Sequence, residues 1–392
     1  MANVLLGWEM GGGLGHIALL VRIAREISRM GHQPVFVIKE PRAIAATQSQ
    51  ANQWHVRSSP VWPAVEHREP YRANRFTDIL ARKGFAEPAR LQPVLSQWCQ
   101  ILDELQPRLV ISNFAPTLNL AAHQRYRQVI TGTGFTVPPA VGADFPEIFP
   151  TQAADPPRDL LEAIRQVQSN LGLPLINQVT DFLNQPHAFA FTLSEVDPYH
   201  RVRSVPVDGL SFVPAPLPQQ ATTQSFYAYL DAQAWGTNAV LETLDRSRLS
   251  GTIFMKNVSP DRIRDRVTNQ RLHIESKLIP LDKQALAFDV VVHHAGQGLS
   301  CAALAAGVPQ LVLPRFLEHD LTAMALEQMG VGCAIRDDVA LSQSGSILQR
   351  LITEPTYRES ANDLASTIAK REQHDGFERL IACCEDLLTT DA

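Results

Sequence analysis

The chain has 392 residues, more than one ordinary hydrophobic core accommodates, so two domains are expected. Hydrophobic residues make up 45% and charged residues 19%, the proportions of a globular protein, and a net charge of -5 gives no basic footprint for nucleic acid. The five cysteines (Cys99, Cys301, Cys333, Cys383, Cys384) form no CxxC and no metal-type spacing, and no transmembrane stretch of ~18 apolar residues is present. The apolar run Val4–Leu6 lacks a basic flank and a cleavage site, which fits a cytoplasmic protein.

Ala2–Leu6 reads as a first strand, followed by the loop Gly11-Gly12-Gly13-Leu14-Gly15-His16. Leu20, Ile23, Ala24 and Ile27 then recur at helical spacing within 17–30, and Gly31 stands where a closing glycine belongs. Pro34–Ile38 is a second strand, and this βαβ opening calls for a parallel sheet covered by helices. A helix over Val94–Leu105 and strands at Leu109–Ile111 and Gln128–Thr131 continue the pattern. Residues 136 to 160 show no periodicity, and Pro206, Pro214, Pro216 and Pro218 mark an interdomain linker. Beyond it, Ser225–Tyr229, Thr252–Lys256, Leu286–His293 and Gln310–Leu313 read as strands of a second sheet, with a helix over Ser300–Ala306 closed by Gly307.

The richest segment is His293-His294-Ala295-Gly296-Gln297-Gly298, between a buried strand and a helix. Glycines let the backbone approach a ligand, and a helix N-terminus presents unpaired N–H groups and a partial positive charge, which suits a diphosphate. The same loop also serves as a plain strand-to-helix turn with a histidine at its lip. Continued through Ala306-Gly307-Val308-Pro309 and Pro314 to Asp320, the segment resembles the donor signature of family 1 glycosyltransferases, the UDP-glycosyltransferases. That resemblance implies a GT-B fold, α/β, with two Rossmann-like domains facing across a cleft. It implies a diphosphate site at His294, Gly296, Gln297 and Gly298, and sugar contacts from Glu318 and His319. Pro280 and Leu281 would lie against the base. Leu299 stands where the family has Ser or Thr, and His319 where it has Gln, so UDP and dTDP both stay open as donor nucleotides.

The N-terminal loop is similar to the acceptor side of the same family, with Gly13 and Gly15 in the loop and His16 in the place of the catalytic base; Leu19 replaces the family's proline. Imidazole suits that role because its ordinary pKa lies near neutral pH. The helper carboxylate of the family aligns with Asn113, which either orients His16 through its amide oxygen or caps the following turn. Phe76, Phe85, Phe114 and Phe135 are candidates for an apolar acceptor pocket or for core.

The domain boundaries expected are 1–213 for acceptor, 220–375 for nucleotide-sugar, and a last helix over 376–392 packing back on the first domain. The activity implied is inverting transfer from a UDP- or dTDP-sugar to a hydroxyl of a small-molecule or lipid-like acceptor, with neither metal nor cofactor. Two other readings stand beside it. Gly13-Leu14-Gly15-His16-Ile17-Ala18 with Glu40 fits a dinucleotide fingerprint and an NAD(P)-dependent oxidoreductase, and Asn113 fits a non-catalytic nucleotide-sugar binder.

Overall fold

The structure is a computed structural model that describes residues 1–47, 54–63, 73–149, 159–212, 224–281, 286–371 and 375–390. Three of the four linker prolines (214, 216, 218) and part of the aperiodic 136–160 segment lie outside the described residues.

Two parallel sheets form the frame, each of six strands among the described residues. The first sheet comprises β1 (Asn3–Trp8), β2 (Gln33–Ile38), β3 (His55–Ser58), β4 (Leu109–Asn113), β5 (Gln128–Gly132) and β6 (Ala188–Ala190). Its helices are α1 (Gly15–Arg29), α2 (Phe76–Lys83), α3 (Pro88–Leu105), α4 (Pro116–Ala122) and α5 (Leu160–Asn170). The second sheet comprises β7 (Ser225–Asp231), β8 (Ser250–Lys256), β9 (Leu272–Glu275), β10 (Val290–His293), β11 (Gln310–Val312) and β12 (Gly332–Ala334). Around it pack α6 (Thr237–Arg246), α7 (Pro260–Arg264), α8 (Gln297–Ala305), α9 (Leu317–Gln328), α10 (Asp338–Ser342), α11 (Ser344–Thr353), α12 (Pro355–Lys370) and the terminal α13 (Gly376–Thr389).

The strand order is β3-β2-β1-β4-β5-β6 in the first sheet and β12-β11-β10-β7-β8-β9 in the second. The order reverses between β1 and β4, and again between β7 and β10. In open parallel sheets, loops at the carboxyl ends of two such strands part and leave a crevice, so the topology alone marks where ligands bind.

The local sequence explains the elements nearest those crevices. Ile17, Leu20, Ile23, Ala24 and Ile27 turn one buried stripe of α1 onto the sheet, and Gly31 closes it with φ 82. Val290, Val291 and Val292 of β10 are buried on both faces, as a central parallel strand requires. The helix expected from Val94 begins at Pro88, which stands in the first turn where its missing N–H is tolerated, and it runs through Pro93 in its interior. The helix expected from Ser300 begins at Gln297, because Gly296 is its extended N-cap residue with φ -67 and ψ 132. Gly298 and Leu299 therefore belong to the first helical turn.

The domains share one apolar cluster, in which Ile17 and Leu20 of α1 join Tyr227, Ile279, Ala302 and Ala303 of the second domain. The C-terminal helix returns to the first domain: the Arg127 guanidinium donates to the Thr390 carbonyl at 2.6 Å, and Arg379 pairs with Asp208.

Candidate active site

At the first crevice, β1 feeds the glycine-rich loop and α1, while β4 ends at Asn113. His16 Nδ1 lies 2.6 Å from Asn113 Oδ1. The Asn113 amide nitrogen donates to Thr131 Oγ1 at 3.1 Å, and that hydroxyl donates to the Ser112 carbonyl at 2.9 Å. Because the Thr131 proton goes to Ser112, Asn113 must turn its NH2 to Thr131 and its oxygen to His16. An oxygen facing Nδ1 keeps the proton on Nδ1 and leaves Nε2 as an acceptor.

The His16 ring stacks on Trp8, with centroids 5.4 Å apart. Burial pushes the imidazole down to about 4, although the hydrogen bond to Asn113 acts the other way. His16 is therefore neutral at pH 7. Gly11, at φ 76, is the residue beside Nε2: a Cβ there would lie 2.8 Å from that nitrogen. Phe114 follows Asn113 in the left-handed region at φ 46, a strained conformation for a bulky residue, and its carbonyl accepts from Met10 N–H at 2.9 Å. Phe76, Phe85 and Phe135 are buried in core; Phe114 alone of the four reaches the His16 ring, with centroids 6.1 Å apart.

The second crevice repeats the arrangement. His294, one residue past β10, accepts from the Asp231 N–H at the end of β7 through Nε2 (2.9 Å) and donates from Nδ1 to the Leu313 carbonyl (3.0 Å). Both ring nitrogens are thus engaged by backbone. The donor hydrogen bond expected from this ring to a diphosphate would require Nδ1 to leave the Leu313 carbonyl. Burial keeps the ring neutral. His293 is likewise occupied, its Nε2 3.0 Å from Gln310 Oε1, and is pushed by burial down to about 4. Ala295 takes φ 59, and this left-handed step turns the chain into Gly296 and the N-terminus of α8. Gln297, Gly298 and Leu299, the first three helical residues, bring backbone N–H groups that no earlier turn of the helix can satisfy.

Sequence reasoning did not single out Asp231, Tyr229, Arg315, Thr131 or Thr133. Asp231 accepts from Asn257 Nδ2 (2.8 Å), from the Gln233 N–H (3.1 Å) and from Arg315 (2.6 Å). Burial opposes its charge, but these bonds outweigh burial and hold the carboxyl below its usual range. Tyr229 Oη accepts from the Leu14 N–H at 3.2 Å and so ties the glycine-rich loop to the second domain.

Glu318 and His319 occupy the first turn of α9, and both are buried. Thr133, just past β5 in the first domain, donates to Glu318 Oε1 at 2.7 Å. Burial lifts the Glu318 carboxyl to about 7, with the Thr133 hydroxyl opposing it. The His319 ring packs against Phe316 at 3.8 Å between centroids, and its buried Nδ1 has no hydrogen-bond partner among the described residues. The Gln297 side chain crosses the domain boundary: its Oε1 accepts from the Gly134 N–H (3.2 Å) and its Nε2 donates to the Val196 carbonyl (3.1 Å). What Gln297 can offer a ligand is its backbone N–H.

One cavity of about 330 Å³ joins the two crevices. Gly13, Gly15, His16, Asn113 and Thr133 line it from the first domain; Pro280, Leu281, His294, Gly296, Gln297, Gly298, Glu318 and His319 line it from the second. The residues that the sequence offers for the base, diphosphate, sugar and nucleobase contacts therefore face one space, whereas Phe76, Phe85, Phe114, Phe135 and Glu40 do not line it. Among the described residues, no three His, Cys, Asp or Glu side chains gather in a metal-binding group.

The whole chain superposes on solved glycosyltransferases. The calicheamicin glycosyltransferase matches 99% of this chain and 98% of its own with a TM-score of 0.63 at 15% identity. A glycosyltransferase of Streptomyces sp. SF2575, solved with thymidine diphosphate, matches 98% of this chain and 100% of its own with a TM-score of 0.61 at 16% identity. The chain has the GT-B fold.

Sequence likeness within this GT-B chain is more local. The family model for the C-terminal domain of erythromycin biosynthesis protein CIII-like proteins matches residues 260–375, the segment that carries the β10–α8 loop and Glu318. The elloramycin glycosyltransferase of Streptomyces olivaceus is 38% identical over 80 residues, which is 20% of this chain and 19% of the relative. The chain thus matches about a fifth of the length of such curated relatives.

Proposed function

We propose that this GT-B chain is an inverting, metal-independent glycosyltransferase that moves a hexosyl group from a UDP- or dTDP-sugar to a hydroxyl of a small-molecule or lipid-like acceptor. One observation carries the reading. Across a single cavity, a histidine with a fixed tautomer faces a helix N-terminus and a buried carboxyl group.

In this reading the acceptor O–H hydrogen-bonds to His16 Nε2. Its oxygen attacks the anomeric carbon on the face opposite the nucleotide, and its proton passes to Nε2 as the bond to the diphosphate oxygen breaks. The backbone N–H groups of Gln297, Gly298 and Leu299 receive the negative charge on the leaving diphosphate. Glu318 and His319 hold sugar hydroxyls, Glu318 through the oxygen that Thr133 does not use. Pro280 and Leu281 flank the base. Asn113 is a positioning residue that keeps the His16 proton on Nδ1.

The dinucleotide reading fits the site less well. Glu40, the acid expected to hold a ribose, pairs with Lys256 of the second domain at 2.7 Å.

The test is release of nucleoside diphosphate from UDP- and dTDP-sugars across a panel of alcohol acceptors. Transfer by the wild type, lowered about 10²–10⁴-fold in His16→Ala with donor binding intact, supports the reading. Donor binding without transfer to any acceptor would make the chain a nucleotide-sugar binder.

A further inference from the structure

The cations that line the cavity are nearly all taken. Arg315 pairs with Asp231 at 2.6 Å, Lys256 pairs with Glu40 at 2.7 Å, and the Arg22 guanidinium lies 4.2 Å from the centre of the Phe377 ring. Arg25 differs. It lines the same cavity, is half-buried, and makes no hydrogen bond, ion pair or ring contact among the described residues. A half-buried guanidinium with its donors unused, inside a cavity built for an anionic, oxygen-rich ligand, calls for an acceptor on that ligand.

Its place along α1 identifies which acceptor. Ala18, Arg22 and Arg25 line the cavity from one helical face. Arg25 lies nine residues beyond His16 on α1, so the helix rise sets it roughly 13 Å further along the cavity. With sugar transfer at His16, the diphosphate lies between and the nucleoside at the far end. A second-domain loop meets the first domain at Ala46, in the segment Pro41–Thr47 that packs on α1: the Leu278 N–H donates to the Ala46 carbonyl at 3.3 Å. Pro280 and Leu281 follow directly in that loop and line the cavity.

We propose that Arg25 is a donor-specificity residue supplied by the N-terminal domain, its guanidinium donating to the distal carbonyl oxygen of a pyrimidine base. The inference rests on the donor-binding reading above and deepens it. Uracil and thymine carry that carbonyl. Cytosine carries an amino group in its place, which meets the guanidinium donor to donor. Base identity is then read from both sides of the cleft, by the Pro280 loop in one domain and by Arg25 in the other, so a nucleotide with the right base draws the two domains together.

Calorimetric titration of the full chain with UDP, dTDP, CDP and inorganic pyrophosphate tests this, with wild type, Arg25→Met and Arg25→Lys compared. Arg25→Met keeps the apolar stem and breaks no polar contact among the described residues, and its melting curve confirms the fold. The expected result is a roughly 10-fold loss of UDP and dTDP affinity in Arg25→Met, the scale of one hydrogen bond to a charged group. The preference for UDP over CDP should vanish, pyrophosphate binding should stay unchanged, and Arg25→Lys should recover part of the loss. Unchanged UDP affinity in Arg25→Met would overturn the inference while leaving the donor reading intact. An equal loss for pyrophosphate would overturn it by placing Arg25 on the diphosphate. A wild type that binds none of the nucleotides would remove the donor reading and this inference together.

Discussion

His16 Nδ1 and Asn113 Oδ1, 2.6 Å apart, form a neutral pair where a histidine base is expected to have a carboxylate helper. The amide orients the ring but adds no charge to stabilise an imidazolium, and burial sets the ring to about 4. The acid limb of kcat/KM that His16 sets should therefore lie near pH 4, well below the titration of Glu318 near 7. In Asn113→Asp a carboxylate beside the ring favours its protonated form, so the limb should move to higher pH. Both profiles follow from initial rates; an unmoved limb would disconnect Asn113 from the base.

Gly11 is held open by two constraints at once. Its φ of 76 disfavours a side chain, and a Cβ would stand 2.8 Å from His16 Nε2 and 2.9 Å from Phe114 Cδ1. Gly11→Ala should cost about 1–2 kcal/mol of stability and lower kcat by about 10²-fold, the effect of a displaced catalytic group. Nucleoside diphosphate affinity should be nearly unchanged. Rate measurements at saturating donor would decide the matter, and wild-type kcat would mean that His16 has another route to the acceptor.

His294 is predicted to be structural. Removing its ring leaves the Asp231 N–H and the Leu313 carbonyl without partners, at about 1–3 kcal/mol for each group left unpaired. His294→Ala should lower the melting temperature and weaken nucleoside and nucleoside diphosphate binding together. Selective loss of the diphosphate would restore the direct contact that the sequence suggested.

Glu318 divides sugar from nucleotide. Glu318→Ala should weaken binding of the full nucleotide-sugar and spare the bare diphosphate if, as proposed, only the sugar meets this carboxyl group. Thr133→Val should act in the same direction and more weakly, since Thr133 holds one Glu318 oxygen at 2.7 Å. Parallel titrations with diphosphate and sugar donor measure both, and equal losses for the two ligands would put Glu318 elsewhere.

Stability should fall on mild acidification. The buried rings of His16 and His293 are held near 4 against an ordinary 6.5, and those of His294 and His319 are lowered too. Their folded pKa values lie below the unfolded ones, so the unfolded chain binds more protons as pH drops. The stability they contribute is present above about 6.5 and is lost as pH falls toward 4. Glu318, raised to about 7, acts oppositely: its contribution is full below 4.5 and fades as pH rises through 7. His123 is lowered by burial as well, while Glu9 and Asp320 are raised like Glu318; five rings against three carboxyl groups make the melting temperature at pH 5 lower than at pH 7. A melting temperature that rises on acidification would contradict this balance.

Much of the fold was legible because its signals are local. The Val290–Val292 run, the period of α1 and the glycines at 31 and 307 each reflect one element's own geometry. Both histidine loops were legible for the same reason, as glycine-rich turns after buried strands. What sequence could not supply was the partner of each polar atom. Nothing near His294 in the chain announces that Asp231 and Leu313 will take both its nitrogens, because those residues reach it from neighbouring strands. Thr133 and Gln297 gain their meaning only when the two domains meet. Helix α5 went unread although Leu160, Ala163, Ile164 and Val167 recur at helical spacing; α2 has only eight residues and α12 buries Ala361 alone of its residues, so packing against neighbours decides those two.

The central claim is that the cleft between the two domains binds a nucleoside diphosphate through backbone groups at the start of α8. Titration of the wild type with UDP, dTDP and NADH, each with and without EDTA, tests it most directly. The account predicts saturable one-to-one binding of UDP or dTDP that EDTA leaves unchanged, and no binding of NADH. Binding of NADH alone, or of no nucleoside diphosphate at all, would contradict it.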